Sequence, residues 1–181
     1  MMSIKIGFTG GARIVELGTD SDMRLFFDCI LYYVPPKYPD QNWSLITDRL
    51  YRRYLKLEEL DTAVALMKLV EKEFKQLDRE AFDWSKILSG QVKSDLDRAK
   101  STLFEIFVRY FEAFYECIES AIVNYEWFKS NSNYEYEPVM VTISTIPYCV
   151  SYSMIPLSVF DNLQPDEKPI WWTGKIPKTT T

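Results

Sequence analysis

The chain has no histidine. That excludes Ser-His-Asp and Cys-His catalysis and every His-ligated metal site. Cysteine is scarce: Cys29, Cys117 and Cys149 are the full set, an odd number with no CxxC spacing. Buried thiols in a reducing compartment are the expectation. Glycine is thin too. Gly7, Gly10, Gly11 and Gly18 form neither GxGxxG nor a phosphate-binding loop, so no nucleotide or cofactor motif is present. Long apolar runs are missing. The most apolar window, Leu103 to Val123, carries Glu105, Arg109, Glu112, Glu116 and Glu119, which a bilayer core penalises heavily. Met1 to Phe8 lacks the charged start and apolar core of a signal peptide. Basic charge is in deficit, with 21 Lys and Arg against 26 Asp and Glu and a formal net charge of −5. Neither nucleic acid nor a membrane is an expected partner, and a cytoplasmic location is expected.

What is present is ordinary globular composition, 47% hydrophobic and 15% aromatic over 181 residues. That predicts one domain spanning 1–181, large enough to bury about two thirds of its unfolded surface without a metal or disulfide. The polar end, 175–181, is expected to fray.

Ile4, Ile6 and Phe8 alternate with Lys5, Gly7 and Thr9, the period of a half-buried strand. Gly10-Gly11 supplies a turn, and Ile14 to Leu17 reads as the return strand of a hairpin. Asp20, Ser21 and Asp22 form a polar cluster suited to capping a helix. Met23, Phe26, Phe27, Ile30, Leu31 and Val34 follow at helical spacing, and Pro35-Pro36 stops that helix. Further helices are expected over Ser44 to Leu55 and Glu58 to Leu77, the latter with a stripe of Leu60, Val64, Met67, Val70, Phe74 and Leu77. Ala81 to Leu88 adds a shorter helical piece, and Ser94 to Ser130 is the longest helical stretch. Beyond it, Val139 to Ser144 and Tyr148 to Met154 alternate as strands, expected to join the hairpin in one sheet. Prolines at 138, 147, 156 and 165 are evenly spaced, which reads better as strand punctuation than as a repeat. The fold class is α+β: several helices packed on a small, mainly antiparallel sheet.

Charge is unevenly spread. Ser101 to Glu167 holds two basic and ten acidic residues, a net of −8, more negative than the whole chain. On a helical wheel Glu105, Glu112, Glu116, Glu119 and Glu126 fall within an arc of roughly 80°. Leu103, Phe107, Phe111, Phe114, Ile118, Ala121 and Tyr125 occupy the opposite side. Adjacent like charges each cost about 0.2–0.5 kcal/mol, and Arg109 relieves only part of that. A solvated face is the plain account. The functional one is a docking surface for a cationic protein, with Tyr134, Glu135, Tyr136 and Glu137 adding aromatic contacts.

Three other constellations carry less. Glu112 with Glu116 has the chemistry for acid–base work or for a divalent metal, but the sequence shows neither a pocket nor a shifted pKa. Trp171-Trp172 reads as a pair packing the tail onto the body. Arg49, Arg52 and Arg53 read as helix-surface ion pairing in preference to a phosphate site. No catalytic, metal or cofactor residue is assigned, and the oligomeric state is left open.

The first half resembles the immunity proteins of bacterial contact-dependent growth inhibition and related polymorphic toxin systems. The resemblance rests on the short opening strand, Val15-Glu16-Leu17-Gly18, the double phenylalanine Phe26-Phe27, Leu50-Tyr51 and Leu55. It continues through Leu57 to Leu60, Ala63, Leu66, Val70 and Phe74, and ends at Phe82-Asp83-Trp84. It covers Ile4 to Trp84, and no toxin-contact residue is carried over. It implies a non-enzymatic inhibitor that binds the C-terminal domain of a cognate toxin, expected to be a nuclease, and neutralises it by occlusion. Alternatives of other classes are a carboxylate- or metal-dependent enzyme and an acidic adaptor for another basic protein.

Overall fold

The computed structural model of the chain describes residues 5–81, 96–131, 141–146 and 157–173. It is an α+β fold with a four-stranded sheet in the order β2-β1-β4-β3. β1 (Lys5–Gly10) and β2 (Arg13–Thr19) form the expected hairpin, and β4 (Val141–Ile146) lies antiparallel on the other side of β1. Gly11 turns the hairpin at φ 56°, a conformation that favours glycine. The β1–β2 register shifts between Ile6 and Gly7. A Cβ at Gly7 would lie 1.8 Å from the Val15 carbonyl oxygen, so this bulge admits no side chain.

α1 (Asp20–Tyr33) starts where the polar cluster indicates, but its cap is Thr19, one residue earlier. The Thr19 hydroxyl accepts from the Asp22 N–H and the Asp22 carboxylate accepts from the Thr19 N–H, both at 3.2 Å, closing a capping box. The expected helix Ser44 to Leu55 is shorter. A π-helical stretch covers Leu45–Leu50, and Tyr54–Leu55 is instead β3, paired antiparallel with β4 at Thr142 and Val141. Both residues are wholly buried, and so short a strand leaves no alternation to read. α2 (Leu60–Gln76) follows a single turn at Leu57–Glu59.

α3 (Leu103–Ser130) begins well after Ser94. Thr102 caps it, its hydroxyl accepting from the Glu105 N–H at 3.2 Å, and Asp97 holds a turn before it. Two short helices close the described chain, α4 (Leu157–Asp161) and α5 (Ile170–Thr173). Most of the Ala81 to Leu88 piece, the Tyr148 to Met154 strand, Cys149 and the tail 175–181 lie outside the described residues.

The core is an aromatic interlock of three helices and the sheet. Phe26 of α1 sits 5.0–6.2 Å from the rings of Phe27, Phe74, Phe107, Tyr110 and Phe111, while Phe114 meets Phe8 of β1 edge-on at 6.2 Å. The predicted inner stripe of α3 is buried apart from half-buried Tyr125, and Cys29 and Cys117 are buried free thiols. Leu31, expected inside, is exposed.

The arginine cluster does more than pair with its own helix. Arg52 bonds Asp48 at 3.0 Å, and it also donates to the backbone carbonyls of Gln164 and Glu167, while Arg53 donates to that of Leu163. Tyr54 donates to Asp161 and the Trp171 indole to the Tyr51 carbonyl, at 2.9 and 2.7 Å. Trp171 is buried, so the pair packs the end of the described chain onto the body as its composition suggests.

Within the interlock, Phe26→Ala is expected to cost about 3–5 kcal/mol, since five rings lose their partner and a cavity remains. Tyr110→Phe is expected to change stability by less than about 0.5 kcal/mol, or to raise it, because the buried hydroxyl has no hydrogen-bond partner among the described residues. Urea titration of both variants checks the pair; a large loss in Tyr110→Phe would show that the hydroxyl is satisfied.

Candidate protein-docking face

The aromatic side of α3 fixes which side faces out. Every turn from Leu103 to Ala121 places a side chain in the core, so Glu105, Glu112, Glu116, Glu119 and Glu126 are held on the outer surface. The structure therefore brings these five onto one face. Tyr134, Glu135, Tyr136 and Glu137 lie outside the described residues.

The five carboxylates are not equivalent. Glu105 turns back to accept from the Ser101 N–H at 2.9 Å and so helps cap the helix. Glu116 is shared by two guanidinium groups. Arg13 of β2 reaches it through Nη2 at 2.8 Å and Nε at 3.2 Å, and Arg109 through Nη1 at 2.8 Å. Arg109 also reaches Glu112 at 3.4 Å. Hydrogen bonds from Arg109 and then Arg13 hold the Glu116 carboxyl below the usual range, and the same bonds raise Arg109. A general acid needs the opposite shift, so Glu116 stays an anion at neutral pH. Among the described residues Glu119 and Glu126 form no ion pair. Ion pairing on this face is thus confined to Glu112 and Glu116 among the described residues, and the carboxylates of Glu119 and Glu126, in the C-terminal half of the helix, carry neither an ion pair nor a hydrogen bond there.

That half carries something the charge pattern concealed. Val123 lies about five turns beyond Glu105, inside the same arc, and Trp127 about three turns beyond Glu116, roughly 20° outside the edge of the arc. They are 64% and 57% exposed. The charge pattern does not register them, although Val123 shares the glutamate face and Trp127 borders it.

Elsewhere, a depression of about 500 Å³ beside α2 is lined by Lys68, Glu71, Lys72, Lys75 and Gln76, apart from the α3 carboxylates. Glu71 accepts from Tyr115 of α3 at 3.1 Å and pairs with Lys75 at 2.6 Å. Buried Glu73 accepts from Lys37 and Tyr38, which hold it below the usual carboxylate range. Among the described residues no group of three or more Cys, Asp or Glu is placed to hold a metal ion, and no helix is long and apolar enough to cross a membrane. No protein-family model, curated protein or solved structure matches the chain.

The Glu116 network has a signed pH dependence. A carboxyl lowered in the fold adds stability that is complete above its ordinary pKa and is lost as pH falls through the lowered value. Arg13→Ala should raise the Glu116 pKa toward normal and flatten the acid limb of the stability curve. Side-chain carboxyl NMR titration reads this directly; an unmoved Glu116 resonance would mean that Arg109 alone sets its pKa.

Proposed function

We propose that this protein is an immunity protein of a contact-dependent growth inhibition or related polymorphic toxin system. It acts in the cytoplasm, binding the C-terminal domain of its cognate toxin stoichiometrically and covering a surface the toxin needs. The observation that carries this reading is the outer face of α3, a rigid acidic surface with no role in the protein's own core. At 28 residues the helix is about 42 Å long, enough to cross a standard interface of about 800 Å² per partner. Unpaired carboxylates at Glu119 and Glu126 favour a cationic partner by speeding encounter and disfavouring acidic competitors. A nuclease, whose substrate groove is basic, suits such a surface. The resemblance over Ile4 to Trp84 supports the same class.

Co-expression with the C-terminal domain encoded by the adjacent upstream gene tests it. The expected result is growth in the presence of an otherwise toxic domain and a one-to-one complex on purification. A neighbouring product with no toxicity, or a toxic one that neither copurifies nor is neutralised, would refute the reading. In the complex, Glu119→Lys with Glu126→Lys should slow association about tenfold or more at low salt and weaken its salt dependence. Stopped-flow mixing at two ionic strengths measures both; unchanged rates would return these glutamates to a merely solvated role.

A further inference from the structure

The last nine residues of α3 depart from the rest of the helix. From Leu103 to Ala121 each turn supplies a buried side chain, whereas from Ile122 to Ser130 there is none. The stretch is nevertheless rich in apolar and aromatic residues, with Ile122, Val123, Tyr125, Trp127 and Phe128. Of these only Tyr125 is packed against the core among the described residues, and a helix end with so little tertiary cover is marginal in water. Two features hold this one in shape. The hairpin turn abuts its start, where a Cβ added at Gly11 would come within 2.5 Å of the Ser120 carbonyl oxygen and 3.0 Å of Asn124 Cβ. At the other end the Asn131 amide donates to the Trp127 carbonyl at 2.7 Å, capping the helix. The indole of Trp127 meets the Phe128 ring edge-on at 4.9 Å, which restricts its rotation.

We infer that Val123 and Trp127 are the apolar anchor through which the partner of the preceding section is held, and that the partner offers an apolar recess with a cationic rim. This rests on the toxin-binding reading and deepens it. Tryptophan leads the residues that dominate interface energetics, and a side chain already ordered on a helix loses little freedom on binding. Glu119 lies one turn before Val123 and Glu126 immediately before Trp127, so the apolar pair is flanked by two unneutralised carboxylates. That charge specifies the rim: an acidic or uncharged rim would leave both carboxylates desolvated without a counter-charge. The acids govern encounter, and the indole and isopropyl groups govern residence.

The test uses the full chain and the cognate toxin domain, with association and dissociation rates measured for Trp127→Ala, Val123→Ala and the Glu119→Lys/Glu126→Lys double variant. All side chains changed are exposed, and circular dichroism confirms that each variant folds. The expected result is at least a tenfold faster dissociation for Trp127→Ala with association within twofold of the parent. Hydrogen exchange over residues 122–130 should also slow in the complex. Parent-like dissociation in both apolar variants, with slowed association in the glutamate variant, overturns the anchor and leaves the toxin-binding reading standing. Failure of the parent chain itself to bind the toxin domain overturns both.

Discussion

The interlock around Phe26 is the constraint from which the rest of the molecule follows. One ring of α1 touches rings of α2 and α3 at once, so three helices are fixed by a single cluster. Edge-on and tilted contacts of this kind add about 0.5–1.5 kcal/mol per pair beyond burial, and they set the rotation of each helix about its own axis. For α3 that rotation matters most. With Phe107, Phe111 and Phe114 turned inward, the glutamates on the far side have nowhere to go but the surface.

A second constraint acts on charge. Arg13 comes from the hairpin and lies 103 residues from Glu116 in sequence, yet it helps neutralise the middle of the α3 face. The helix carries five outer glutamates, but hydrogen bonding and pairing engage three of them. The two left over sit at the end where α3 stops contributing to the core. Engagement is therefore uneven along one helix: Glu105, Glu112 and Glu116 are each held by a hydrogen bond or ion pair, whereas among the described residues Glu119 and Glu126 are not.

Much of this was legible in the sequence where a periodic signal was long. The hairpin, α1, α2 and the inner stripe of α3 all repeat their pattern over several turns or a full strand. The failures are equally physical. Tyr54–Leu55 continues a helical pattern, but its backbone pairs with β4, a strand about ninety residues later, and local spacing carries no trace of that. α3 starts at Leu103, where the Thr102 hydroxyl accepts from the Glu105 N–H, later than the Ser94 start that composition suggests. The stripe was visible as five like charges, yet their inequality depends on Arg13, which only the fold brings near. Val123 and Trp127 follow the core-facing residues as further apolar positions of one helix, and only the fold shows that they are left exposed.

The end of α3 ties these threads together. Beyond Ala121 the helix adds no fully buried side chain, only half-buried Tyr125 against the core, and the added turns expose an indole and an isopropyl group to water. Exposed apolar groups occur singly on any surface. Here two sit one turn apart, on a helix end that the hairpin turn abuts and an asparagine caps, beside the two outer carboxylates that have no partner among the described residues. Each of these choices alone is mildly unfavourable for the free protein, through hydration of apolar surface and repulsion between acids. The partner proposed above, a cationic and partly apolar surface closing over them, would offset all of them at once.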